Sequence, residues 1–189
     1  MRKRFSRRDA GLITAVLSGL AMAGAAAAPA GADTLPPYYQ LVNHDGKCLD
    51  VPGGSSQGGQ IMQQWSCNGN EWQYWDVIPT GYYGGGQLIE NYYTKKCLSV
   101  DGDTQPGAPV VQENCTADSA SQNWYPEYTG SGSWDQYWNV ASCDIAGNNE
   151  CGIHPSGGGT TDGKKIYVQY PNAANSLSSF SWELGAQVG

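Results

Sequence analysis

Apolar residues along this chain come in short runs and never settle into helical spacing. Leu41-Val42, Leu49-x-Val51, Ile61-Met62, Val77-Ile78, Leu88-Ile89, Leu98-x-Val100 and Val110-Val111 are separated by clusters of Gly, Pro, Asn, Asp and Ser. Gly53-Gly54, Gly84-Gly85-Gly86, Gly102-Asp103 and Gly157-Gly158-Gly159 mark turns. Tyr and Trp are abundant, with 12 and 7 copies. Short apolar runs rich in β-formers and bounded by turn residues predict many short strands and no long helix.

The runs recur in a larger pattern. An apolar stretch ending in Asn is followed by Cys-Leu-x-Val, a Gly-rich gap, a strand reaching a second Cys, and Gln-x-Trp. The first copy has Asn43, Cys48-Leu49-Asp50-Val51, Trp65-Ser66-Cys67 and Gln73-Tyr74-Trp75. The second has Asn91, Cys97-Leu98-Ser99-Val100, Asn114-Cys115 and Gln122-Asn123-Trp124. The third is degenerate, with Asn139, Ser142-Cys143-Asp144-Ile145, Tyr170-Pro171-Asn172 and Phe180-Ser181-Trp182. The lead-in Asn steps by 48 and 48 residues, the closing Trp by 49 and 58. The extra length of the third copy is expected within 148–163. A fixed period means one supersecondary unit used three times. About four strands fit each unit, over roughly 38–84, 85–132 and 133–189. No unit could bury its apolar face alone, so the three are expected to close into an all-β barrel with pseudo-three-fold symmetry.

Residues 1–32 stand outside this pattern. Arg2, Lys3, Arg4, Arg7 and Arg8 precede an uncharged Ala/Gly/Leu stretch that ends in Ala30-Gly31-Ala32. That is the layout of an export signal cleaved before Asp33, leaving a single domain over 33–189. The run is long enough to span a bilayer, but its Ala/Gly content, Pro29 and small-residue end favour a cleaved signal. Ser6-Arg7-Arg8 leaves general secretion and twin-arginine export both open. Without the head, five Lys, no Arg and 16 acidic residues remain, a net charge of about −11. Such a chain repels nucleic acid and anionic membrane and lacks the guanidinium fork for phosphate ligands. A secreted monomer with a neutral, hydroxyl-rich partner fits this balance.

All six cysteines follow the signal, and an even count in an exported chain reads as disulfides. The repeat pairs Cys48–Cys67 and Cys97–Cys115, leaving Cys143–Cys151. No CxxC occurs and His44 and His154 are the only histidines, so no metal or other cofactor is expected.

These motifs resemble the ricin B-type lectin domain, a β-trefoil that serves as a carbohydrate-binding module in secreted bacterial proteins. The resemblance spans about Tyr38 to Leu184. It implies shallow sugar pockets, each with a carboxylate after Cys-Leu, an aromatic platform before the second Cys, and an Asn beside the Gln of Gln-x-Trp. In copy one these places hold Asp50, Trp65 and, in place of the Asn, Trp72; Gln63 lies on the platform strand. Copy two has Ser99, Glu113 and Ser121 and should hold no sugar. Copy three offers Asp144 and Tyr170. The resemblance further implies galactose- or xylose-type glycans and no catalysis.

The residue types suit the chemistry. A pyranose presents hydroxyls, which an ionised Asp accepts, and a C–H face, on which Trp or Tyr can stack. Plainer roles compete: Asp50 could cap a turn, and Trp65 could pack in the core. Tyr170 shares a strand face with Ile166 and Val168, which equally fits core packing. Trp75, Trp124 and Trp182 recur with the period and are expected in the core, with Gln73 and Gln122 satisfying buried backbone groups. Gly54-Ser55-Ser56-Gln57-Gly58 matches G-x-S-x-G but has no helix after it, so it is no nucleophile elbow. Asp101-Gly102-Asp103 lacks the remaining ligand spacing of a calcium loop. A different reading of the chain is a β-trefoil interaction protein, such as a proteinase inhibitor, acting through an exposed Cys151 to Gly163 loop.

Overall fold

The computed structural model describes residues 38–82, 85–102, 106–128, 135–139, 151–170 and 181–188. Residues 1–37, which include the expected export signal, and Cys143, Asp144, Asn172, Ser179 and Phe180 lie outside these residues. Each repeat opens with a strand, and each closing Trp lies at or next to the start of another. These six strands are β1 (Tyr38–Asn43), β5 (Tyr74–Pro79), β6 (Gln87–Asn91), β9 (Trp124–Tyr128), β10 (Asp135–Asn139) and β13 (Ser181–Val188). Antiparallel pairing runs β1–β5–β6–β9–β10–β13 and returns to β1, closing a ring. Between them lie β2 (Lys47–Asp50), β3 (Gln60–Ile61), β4 (Gln63–Ser66), β7 (Cys97–Val100), β8 (Val110–Glu113), β11 (Cys151–Pro155) and β12 (Ile166–Gln169). They form three hairpins, β2–β4, β7–β8 and β11–β12. A six-stranded ring closed at one end by three hairpins is the β-trefoil expected from the repeat.

The hairpins meet around the pseudo-three-fold axis. β3 pairs with β8, Gln63 bridges to Lys165, and Pro109 bridges to Tyr167, so every hairpin touches the other two. Beneath them the apolar positions of the repeat occupy equivalent places. Leu49, Leu98 and Ile153 form one set, Met62, Val110 and Ile166 another, and Trp75, Trp124 and Trp182 a third, all buried. Each indole N–H donates 3.1 Å to a backbone carbonyl, that of Leu49, Leu98 or Ile153 respectively. The closing Trp thus fills the core while satisfying a buried carbonyl on its own repeat's first hairpin strand.

Side-chain amides join the repeats. Gln64 Nε2 donates to the carbonyls of Gly159 and Thr161 in the third repeat, at 2.7 and 2.8 Å. Gln112 makes the same connection to Ser55 and Gln57 in the first. The lead-in Asn folds the turn after it: Asn43 Oδ1 accepts from the N–H groups of Asp45 and Lys47, and Asn91 Oδ1 from those of Tyr93 and Thr94. Disulfides Cys48–Cys67 and Cys97–Cys115 close loops of 19 and 18 residues. In the chain-entropy model each stabilises by about 3 kcal/mol. Cys151 is also disulfide-bonded, while Cys143, its expected partner, lies outside the described residues.

The third copy departs from its expected alignment. β10 places Trp138 opposite Gly152, as Val42 stands opposite Cys48 and Glu90 opposite Cys97. Trp182 then bonds Ile153, not Cys143. So Gly152-Ile153-His154-Pro155, and not Ser142-Cys143-Asp144-Ile145, is the counterpart of Cys48-Leu49-Asp50-Val51. The step from Gly152 to Gln169 equals that from Cys48 to Trp65. Most of the extra length therefore precedes Cys151 instead of filling 148–163. The cause is core packing: Ile153, Ile166 and Val168 supply the inward positions, and the chain takes the register that buries them.

Candidate functional site

In the first repeat β2 and β4 run antiparallel with Asp50 opposite Gln63 and Cys48 opposite Trp65. Alternation turns Met62 and Gln64 inward, both fully buried, and leaves Trp65 39% exposed. A 3-10 turn over Glu71–Gln73 then carries Trp72 and Gln73 to the same hairpin. Asp50, Gly53, Gln63, Trp65, Asn68, Asn70 and Trp72 line an open cleft of about 320 Å³. Gly54 lies beneath one wall with φ +64°, and a Cβ there would sit 3.0 Å from the Trp72 ring. A side chain at that position would both strain the backbone and displace the indole.

Asp50 is only 2% exposed, yet it lines the cleft. Its Oδ1 accepts from Gln63 Nε2 at 2.7 Å and its Oδ2 from Gln73 Nε2 at 3.0 Å. Gln73 also donates to the Ser66 carbonyl and accepts from the Asn68 N–H. Two fixed amides and Trp72 orient the carboxylate, and its remaining lone pair can accept from a ligand's hydroxyl. Burial pushes the Asp50 carboxyl above the ordinary Asp value of 3.8, and hydrogen bonds from Gln63, Gln73 and Trp72 oppose that rise. The platform strand is held from the third repeat, where Gly163 donates its N–H to the Gln64 carbonyl and the Lys164 carbonyl accepts the Gln64 N–H.

A raised folded-state pKa means that the native protein holds this proton more tightly than the unfolded chain. The stabilisation is fully present below 3.8 and is lost as pH rises through the raised value. Replacement Asp50→Asn should therefore be better tolerated near neutral pH than in acid. The melting temperature of the variant, minus that of the wild type, should be higher at pH 7 than at pH 3. Thermal scans at the two values check this, and a difference of opposite sign would refute the burial argument.

Asp50, Gln63, Trp65 and Trp72 thus come together as the sequence predicts. Asn68 and Asn70 complete the cleft and were not anticipated; their position in the Asn-Gly-Asn turn just before Gln-x-Trp was the available signal. In the second repeat Ser99 hydrogen-bonds Ser121, and Glu113 occupies the platform position. The third repeat needs correction. His154 stands where Asp50 stands in the first, with Tyr167 opposite it, and Gln169 takes the place of Trp65. His154 is buried, and burial followed by the charge of Lys164 lowers its pKa below the ordinary His value. Tyr170 lies one residue past the platform position and packs, half-buried, against the core. Asp144 is outside the described residues, and the place expected for it is filled by His154. Among the described residues, only the first repeat joins an acid to an exposed platform.

The Cys151 to Gly163 segment is part buried strand and part turn, and the turn is exposed at 156–157 and 159–161. Cys151–Pro155 is buried strand, and the turn beyond it is docked on the first repeat by Gln64 and by a 2.8 Å Lys47–Asp162 ion pair. Among the described residues no helix is long and apolar enough to cross a membrane.

The fold recurs among solved structures. A designed three-fold symmetric protein, ThreeFoil, is 24% identical, with a TM-score of 0.68 over 79% of this chain and 98% of its own. An agglutinin from Rhizoctonia solani is 16% identical, with a TM-score of 0.64 over 83% and 98%. The ricin B-like lectin of Macrolepiota procera, solved in complex with lactose, is 14% identical, with a TM-score of 0.61 over 82% and 99%. An exo-β-1,3-galactanase from Clostridium thermocellum is 26% identical, but this chain spans only 30% of that enzyme. No curated protein sequence matches significantly. The family model for the ricin-type β-trefoil lectin domain matches residues 37–182, and the chain belongs to that family, whose fold serves carbohydrate binding.

Proposed function

We propose that this protein is a secreted, non-catalytic carbohydrate-binding module that holds a galactose- or xylose-type unit in the first-repeat cleft. The observation that carries this reading is the oriented carboxylate of Asp50 beside the exposed face of Trp65. With Gln63, Gln73 and Trp72 already donating to it, the carboxylate has one lone pair left to accept a sugar hydroxyl, while the indole covers the ring's C–H face. Lactose in the Macrolepiota lectin and the β-1,3-galactan named for the Clostridium enzyme support a galactose-type ligand. A single open cleft of this kind binds at about 1 mM, near −4 kcal/mol. Screening the disulfide-intact protein on a glycan array, with Trp65→Ala beside it, tests the reading. Signal confined to galactosides or xylosides and lost in the variant is the expected result; an unchanged pattern in the variant would rule the cleft out.

A further inference from the structure

Beyond the residues that line the cleft, Trp72 has one more aromatic neighbour. The indole meets Tyr93 edge-on, with ring centroids 6.1 Å apart and planes at 71°. Tyr93 is 52% exposed, the most exposed large apolar side chain among the described residues. It belongs to the first turn of the second repeat, so the aromatic surface crosses a repeat boundary. One side chain fixes both parts. Asn91 Oδ1 accepts the Tyr93 N–H at 3.1 Å, and Asn91 Nδ2 donates to the Trp72 carbonyl at 3.0 Å. The scaffold does not require an aromatic there: the residue two past the lead-in Asn is Asp45 in the first repeat, where it forms the same turn.

We propose that Trp72 and Tyr93 form a second stacking subsite, so that the cleft reads two or more consecutive sugars of a glycan chain. The inference rests on the sugar-binding reading of the cleft. Trp72 lines the same cleft as Asp50 and Trp65, so on this proposal the neighbour of a pyranose seated there runs along the Trp72 wall. The exposed Tyr93 ring, held by its backbone, lies ready to cover that neighbour. Preorganised aromatics add affinity at low entropic cost. The favoured ligand class is accordingly a polysaccharide or oligosaccharide, and a free monosaccharide fills only part of the site.

Calorimetric titration of the disulfide-intact protein with two ladders tests this: galactose, β-1,3-galactobiose and β-1,3-galactotriose, and xylose to xylotriose. Wild type should gain about five- to tenfold from monosaccharide to trisaccharide in the ladder it binds, the scale of one added aromatic stack. Tyr93→Ala should remove that gain and leave monosaccharide affinity within about twofold, while Tyr93→Phe keeps the gain, because stacking needs the ring and not its hydroxyl. Trp65→Ala should lose both. If Tyr93→Ala retains the full gain, or wild type shows none, while Trp65→Ala still abolishes binding, the second subsite is wrong and the primary one stands. If neither ladder binds, or Trp65→Ala binds both as wild type does, the cleft itself is misread and the inference falls with it.

Discussion

Trp65→Ala is expected to abolish measurable sugar binding and to leave the melting temperature within a few degrees of wild type. Trp65 contributes to the fold mainly through backbone pairing with Cys48, which alanine retains, and its side chain is already 39% exposed. To a sugar it contributes the whole stacking face. Burying one face of an aromatic is worth about 2 kcal/mol, roughly thirtyfold. From a starting point near 1 mM, that loss moves the dissociation constant to tens of millimolar, beyond ordinary titration. Binding within a factor of three of wild type would contradict the stacking role. Acid should weaken binding as well, because a protonated Asp50 has lost acceptor capacity. That decline should begin above the pH at which an ordinary Asp titrates, since burial raises this one.

Trp124→Ala should have the largest effect on stability. The indole is fully buried, and its N–H satisfies the carbonyl of Leu98. Removing a core Trp costs about 3–5 kcal/mol, and an orphaned buried acceptor belongs at the upper end. For a domain of this size that is a fall of roughly 10–15 °C in melting temperature. Trp124→Phe restores much of the volume but not the hydrogen bond, so it should fall between the two. Calorimetric melting of the three proteins decides the matter, and a drop under about 3 °C for the Ala variant would show that the core tolerates the void. Trp75 and Trp182 make the same bond in their own repeats and should respond alike.

Where the repeat is intact, the sequence was sufficient. Cys-Leu-x-Val, the second Cys and Gln-x-Trp located two disulfides, the closing Trp residues and the acid–platform pair. Alternation along one strand separated Met62 and Gln64 from Trp65. The third repeat misled because letters outweighed spacing. Ser142-Cys143-Asp144-Ile145 looks like Cys-Leu-Asp-Val; Gly152-Ile153-His154-Pro155 does not. Counting back from the closing Trp would have corrected it. The bonded carbonyl lies 26 residues before Trp75 and before Trp124, and 29 before Trp182. A buried strand must supply an apolar residue at that depth, and Ile153 is the residue that does. The recurring Asn was visible in the sequence, but its turn-folding role was not anticipated, although Asn43 and Asn91 accept from N–H groups only two to four residues on.

The pairing that closes the ring joins the two ends of the described chain: Leu41 stands opposite Leu184 and Asn43 opposite Trp182. On a growing polypeptide the first strand therefore waits for the last. At about 5–20 residues per second, that wait is on the order of ten seconds. Distant pairings of this kind also slow folding itself, because the entropy of a long loop is lost before any contact compensates it. The binding cleft inherits the delay. The residues that line it all precede position 73, but Gln64, next to the platform Trp65, exchanges backbone hydrogen bonds with Gly163 and Lys164, so the cleft is fully held only when the third repeat has arrived.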